Sequence, residues 1–290
     1  MIAYNPKEWF VFIFKFPKTD TFRKLLPLML AIMVYSGIVA YVEVDLLNVE
    51  KKNLQNITVI HSLLGVLISL LLVFRTNTAY DRWWEGRKLW GSLVNNSRNL
   101  ALKLSPILTN EEDRTFFKYA IPNYAKALRD HLRNDHTRIE LFDVDLNMVV
   151  KPDTSKHIPN QVAQTIFEKI HFLHKNGTLS GEQLLFLNEE LRSFTDICGA
   201  CERIRNTPIP FSYSMFLKKF IFFYVMTLPV AYVFSLSYYL VPVVVFIFYA
   251  MASLELIAEE IEEPFGRDAN DLPLDKICVK IDQHVGEIFS

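Results

Sequence analysis

Residues 74–90 read FRTNTAYDRWWEGRKLW, and this stretch decides the fold because of what stands before it. From Ile57 to Val73 the only polar side chains are Thr58, His61, Ser62 and Ser69. Within the next few turns come Arg75, Arg82 and Arg87, the acids Asp81 and Glu85, and Trp83, Trp84 and Trp90. A helix that passes from lipid to water has this form, with aromatic and basic groups anchoring the crossing.

Composition agrees with a mixed molecule. Of 290 residues 51% are hydrophobic, 23 of them Phe, yet 22% are charged. That is too oily for an ordinary soluble domain and too charged for a bundle held wholly in lipid. Membrane helices joined to a water-exposed helical part fit both numbers. The net charge of −1 offers no argument for nucleic acid. Three cysteines make no disulfide framework. Cys198 and Cys201 form a CxxC without a second pair, which reads as packed neighbours on one helix. The N-terminal WFVFIFKF is too short for a cleaved signal and reads as an interfacial segment, with Trp9 dipping into the membrane surface.

Four apolar stretches are long enough to cross a bilayer as helices of about 20 residues. They run from Leu25 to near Leu47, from near Ile57 to Phe74, and as a pair within Phe220 to Ile257, broken near Ser235–Pro242. The implied division is 1–24 interfacial, 25–85 the first two spans, 86–215 a cytosolic helical region, 216–258 the last two spans and 259–290 an acidic C-terminal segment. Arg23 and Lys24 precede the first span, Arg75 follows the second, and Lys218 and Lys219 precede the third. This puts both termini and the middle section in the cytoplasm, against the opposing weight of Lys51 and Lys52. In the middle section Ile166, Phe167, Ile170 and Leu173 repeat at helical spacing, as do Leu184, Leu187 and Leu191. Asp143–Asn160 reads as a loop and Gly177–Gly181 as a turn.

Ordinary enzymology finds no support. Glu168, His171 and His174 could share a helix face, but without an HExxH they read as a solvated surface. There is no phosphate-cradling glycine loop, no nucleophile elbow and no dinucleotide fingerprint.

On a helical wheel Val59, Leu63, Val66, Leu70 and Phe74 share one face of the second span, beside a strip of Ser62, Gly65 and Ser69. Small residues let helices approach closely in a membrane. An apolar face is ordinarily core or lipid contact. The sharper reading is a hydrophobic constriction that gates by dewetting, which requires a symmetric oligomer to close a pore.

FRTNTAYDRWWEGRKLWG with the apolar helix before it, RNTPIPFSY (Arg205 to Tyr213) and EEIEEPFGRDANDLPL (Glu259 to Leu274) together resemble the bestrophin family of ion channels. The three motifs are widely spaced, stand in the family's order and cover nearly the whole chain. The short length suits a bacterial-type member. The resemblance implies an all-α membrane protein with four transmembrane helices per subunit, assembled as a homopentamer around one pore in the cell's inner membrane. It implies a neck of three apolar rings at Val66, Leu70 and Phe74, and a cytosolic aperture at Leu191. Arg82 matches the arginine of the family's Arg-Trp-Trp, either snorkelling at the membrane boundary or acting on ions.

Small monovalent ions would pass, chloride and other anions by family habit, with a sodium-selective cation channel as the alternative. On a straight helix Asn77 and Asp81 follow Leu70 on one face, where Asp81 would attract cations unless paired with arginine. Animal relatives bind calcium in the acidic corner, and the matching side chains are Glu260, Glu263, Asp268 and Asp271. Arg267 stands where an acid is usual, and Ala269 and Asn270 interrupt the run, so an intersubunit salt-bridge cluster is the preferred reading and no cofactor is required. Membrane lipid, small ions and further copies of the chain are the expected partners. A secondary transporter would call for internal repeats, which are absent. A membrane-anchored scaffold would place the function in the cytosolic helices.

Overall fold

The structure, a computed structural model, describes residues 20–46, 55–137, 139–143 and 148–290. The interfacial segment around Trp9, and Lys51 and Lys52, lie outside the described residues. The chain forms two compact units.

The apolar unit holds the described residues up to Asp81 together with Pro208–Glu262. Its first helix, α1 (Asp20–Tyr41), ends in a π-helical turn at Val42–Leu46. Helix α2 (Gln55–Leu104) runs for 50 residues without a proline, a length of about 75 Å at 1.5 Å per residue. Only its first half belongs to this unit. Helices α6 (Phe211–Leu236) and α7 (Leu240–Glu262) are separated by a single 3-10 turn at Ser237–Tyr239. The break sits where Ser237 adopts φ +48°, a left-handed conformation that stops a helix in an L-residue. α6 and α7 pack on each other, and α1 packs on both. Ile68 and Leu72 of α2, Leu217 and Val225 of α6, and Val244 and Phe248 of α7 fill the interior. Among the described residues three segments are long and apolar enough to cross a membrane: Thr21–Leu46, Ile57–Leu104 and Phe211–Glu262, the last comprising the α6–α7 pair.

The polar unit comprises Arg82–Thr207 and Glu263–Ser290. It contains the end of α2 and helices α3 (Glu111–Arg133), α4 (Ile158–Lys175), α5 (Gly181–Asn206) and α8 (Leu274–Ile288). Asn110 caps α3 by accepting the Glu112 N–H, with three acids in the first turn favourably placed against the helix dipole. A capping box between Ser180 and Gln183 starts α5. Gly177 at φ +75° makes the turn between α4 and α5, where the sequence places it. Trp90, Phe117, Tyr124, Leu128 and Phe194 form the centre of the core.

Two features differ from the sequence expectation. A hairpin of three-residue strands, β1 (Leu141–Asp143) and β2 (Met148–Val150), pairs antiparallel with Leu141 opposite Val150, so the chain is not wholly α-helical. Asp143–Asn160 is therefore not one loop: it holds β2, and α4 begins at Ile158 with Pro159 in the first turn, where its missing N–H is harmless. Secondly, the C-terminal segment described from sequence only as acidic holds a packed amphipathic helix, α8. α8 packs on α3, burying Leu274, Cys278, Ile281 and Val285 at helical spacing.

Candidate ion pathway

In the apolar unit α2 has two opposite faces. Ile68, Leu72 and Ala79, with His61 and Arg75, are buried against the protomer's other helices. Half a turn away, Val59, Leu63, Val66, Leu70 and Phe74 are 53–67% exposed. Asn77 and Asp81 continue this face and are exposed too. An apolar side chain of this size left uncovered over five positions marks a surface meant for lipid or for further copies. The stripe thus passes from five apolar side chains to two hydrophilic ones along one line. Gly65 of the small strip packs inside the protomer: a Cβ there would meet the Tyr224 hydroxyl at 2.7 Å. Ser69 is bonded back to the Gly65 carbonyl and Ser62 to the Thr58 carbonyl, as is usual for hydroxyls on a buried-backbone helix.

Arg75 is the residue that sequence reading missed. It looks like a basic flank, yet it is 1% exposed. Its guanidinium donates to Glu262 Oε2 at 2.6 Å and lies 3.5 Å from Glu255 Oε2, both on α7. Glu262 Oε1 in turn accepts the Ile209 N–H at 2.6 Å. One buried charge cluster thus pins the non-exposed side of α2 to α7 and to the start of α6. A buried arginine can be held only by such partners, because an unpaired charge is far too costly.

In the polar unit Arg82 holds the end of α5. Its guanidinium donates to the carbonyls of Ile204 and Thr207, both at 2.5 Å. These are end groups of α5, where a cation also complements the helix dipole. Trp83 donates its indole N–H to the Asn270 carbonyl at 3.0 Å. Gly86 lies against the Pro264–Phe265 turn, where a Cβ would meet the Phe265 ring at 3.0 Å.

Leu191, expected at the cytosolic aperture, is 3% exposed and belongs to the hydrophobic core. A side chain enclosed by its own protomer cannot line an opening shared between protomers. The exposed apolar side chains of α5 are Leu185 at 77% and Phe186 at 57%. Lys103 sits over the Phe186 ring at 4.0 Å, which leaves Leu185 as the more open of the two. Cys198 and Cys201 are buried free thiols, as the helix-neighbour reading expects. Burial pushes the Cys198 thiol up to about 12 and raises Cys201 as well, so neither is a reactive thiolate at neutral pH. His171 and Glu168 are exposed, in keeping with a solvated face.

The acidic corner finds compensating cations within the protomer. In the apolar unit Lys218 pairs with Glu259 at 3.0 Å, Lys24 with Glu260 at 3.1 Å and Arg75 with Glu262. In the polar unit Arg267 pairs with Asp135 at 2.6 Å. Asp271 is buried, and its Oδ2 accepts the Asp268 N–H at 2.7 Å. That oxygen is also what a Cβ on Gly266 would strike, at 2.6 Å, so Asp271 closes its own turn. Glu263 and Asp268 are exposed and do not converge with Asp271 on a common point among the described residues. This donor set does not fit a six- to eight-coordinate calcium ion.

Comparison with known proteins settles the kinship. The family described as bacterial/fungal bestrophin protein matches residues 1–287. The chain belongs to the bestrophin family. This bestrophin is 38% identical to a voltage-dependent anion channel-forming protein of Nostoc over 232 residues, 78% of this chain and 76% of that one. It is 36% identical to a protein of the same description from Escherichia coli K12, over 76% of this chain and 73% of the relative. A crystal structure of a bacterial bestrophin homologue from Klebsiella pneumoniae superposes with a TM-score of 0.78 at 28% identity, covering 90% of this chain and 97% of that one. The bestrophin is a membrane protein of a channel family and not an enzyme.

Proposed function

We propose that this bestrophin is the subunit of a homopentameric anion channel of the inner membrane, passing chloride and other small monovalent ions. The observation that carries the reading is the stripe on α2: five exposed apolar side chains followed on the same line by exposed Asn77 and Asp81. Lipid contact alone gives no reason for the stripe to end in an amide and a carboxylate. Five copies arranged about an axis would make Val66, Leu70 and Phe74 into successive rings, a dewetting barrier at the narrow part of the pore. α1, the first half of α2, α6 and α7 would supply four crossings, with both termini and the polar unit in the cytoplasm. A second narrowing falls to Leu185, the most exposed apolar residue of α5. The channel needs no calcium to neutralise the corner, since Lys24 already pairs with Glu260, a carboxylate that would have to turn to a metal. The curated relatives are named for anion channel formation, which favours chloride over sodium.

A sodium-selective pore is the second reading, and exposed Asp81 at the end of the stripe is what supports it. Recording from purified protein in planar bilayers under asymmetric NaCl separates the two. Reversal near the chloride equilibrium potential supports the anion channel, and reversal near that of sodium replaces it with the cation channel. Leu70→Ala with Phe74→Ala enlarges the unitary current if the stripe is the neck. Intact oligomers that carry no unitary current would return the chain to the transporter or scaffold class.

A further inference from the structure

Three side chains far apart in sequence meet in the polar unit with no role in the ion pathway. His131 lies near the end of α3, His157 is the N-cap of α4, and Glu202 is on the last turns of α5. His131 Nε2 and His157 Nε2 each stand 2.7 Å from the same oxygen, Oε1 of Glu202. The two imidazole rings are 4.4 Å apart, edge to face. We propose that His131, His157 and Glu202 form a binding site for a divalent metal ion of the zinc class.

Two imidazole nitrogens and one carboxylate oxygen are a zinc donor set, with a fourth position left for water. The three ligand atoms lie within 4.8 Å of one another. Metal–ligand bonds of about 2.0–2.2 Å at tetrahedral angles put ligand atoms about 3.3 Å apart, so each Nε2 need withdraw from Oε1 by only about half an ångström. The side chains are 26–29% exposed, open enough for an ion to enter and sheltered enough to hold it. Metal binding through Nε2 would move the proton of each neutral imidazole from Nε2 to Nδ1, with no net release. Arg205, the nearby cation, is engaged by the His131 carbonyl at 2.8 Å and by Asn134. Cys198 and Cys201 are held as thiols by burial and do not compete.

One consequence is specific to this geometry. His157 Nδ1 accepts the Asn160 N–H at 3.2 Å, which caps α4. A neutral imidazole bound to metal through Nε2 carries its proton on Nδ1, so that cap bond must be released when the ion enters. Metal binding is thereby coupled to loosening of the first turn of α4, while the ends of α3 and α5 are tied together.

The test uses the intact, chelator-stripped channel in detergent, titrated with Zn2+ by calorimetry and with Co2+ by absorption. One ion per chain is expected, with the visible bands of a nitrogen–oxygen tetrahedral cobalt site. Glu202→Gln and His157→Asn should each weaken Zn2+ binding by at least ~10-fold. Asparagine keeps the N-cap of α4, so loss in that variant reports the missing ligand and not a lost helix start. In the unaltered channel Zn2+ should also speed hydrogen exchange at the Asn160 amide, a readout that needs no variant. Absence of Zn2+ uptake, affinity in both variants unchanged from the unaltered channel, a thiolate-to-cobalt charge-transfer band, or an Asn160 amide that Zn2+ leaves unchanged would each overturn the site.

Discussion

Replacing Arg75 by methionine tests the claim that one buried charge cluster holds α2 in place against α7. Methionine fills most of the volume of the arginine stem and removes only the guanidinium. Arg75 is 1% exposed, and its loss leaves Glu255 and Glu262 facing one another across a site that water does not reach. Breaking a buried ion pair by removing one partner costs about 3–5 kcal/mol, because the remaining charge is stranded. At about 2–4 °C per kcal/mol for a unit of 150–250 residues, the melting point should fall by roughly 6–20 °C. The assay is thermal melting of the purified oligomer, followed by size-exclusion elution of the fraction that survives. The triple variant Arg75→Met, Glu255→Gln, Glu262→Gln should recover most of the loss, since a whole buried cluster exchanged for neutral groups is often neutral in stability. Glutamine at 262 also keeps the oxygen that accepts the Ile209 N–H. A single Arg75→Met variant that melts within about 2 °C of the unaltered channel refutes the reasoning.

Three further outcomes follow from the same geometry. Leu191→Ala should destabilise the polar unit by about 2–5 kcal/mol and leave unitary conductance alone, whereas Leu185→Ala should change conductance and hardly move the melting point; the reverse pattern restores Leu191 to the aperture. Asp81→Asn should shift the reversal potential under a NaCl gradient toward that of chloride, and an unchanged potential removes Asp81 from selectivity. Acidification should lower stability: His131 is depressed in the fold, so below its ordinary value of 6.5 the unfolded chain gains a proton that the folded chain resists, and Glu202, depressed below 4.5, adds a loss of the same sign at lower pH. Melting points measured from pH 7.5 to 5 check this, and a His131→Asn variant should fall less between pH 7 and 6 than the unaltered channel.

The apolar spans, the turn at Gly177 and the α2 stripe were legible because each is a local pattern: a run of oil, a glycine, a period of 3.6. Arg75 was not, because a basic residue just after an apolar run looks alike whether it meets water or two glutamates 180 and 187 positions later. Leu191 was placed at the aperture by the family resemblance, which carries no information on its burial in this chain. Leu184, Leu187 and Leu191 share a helical period, and the period shows that they lie together without showing whether the stripe faces the protomer's own core. The attachment of α8 could have been seen: Leu274, Cys278, Ile281 and Val285 have the spacing of an amphipathic helix. The meeting of His131, His157 and Glu202 could not, since it joins positions 45 and 71 apart through three separate helices.

The unbroken course of α2 sets a rule for insertions and deletions. Each residue added to a helix turns everything beyond it by about 100°. A single insertion between Leu70 and Arg75 would therefore leave Arg75 on Glu255 and Glu262 only by rotating Val66 and Leu70 more than a quarter turn away from their line, or would keep that line and misdirect Arg75. An insertion of seven residues, close to two full turns, restores the phase to within about 20°. Length variation among functional relatives in this stretch should accordingly be absent or close to a whole number of turns, as about seven, eleven or eighteen residues are, while the loops outside the helix are free of that arithmetic.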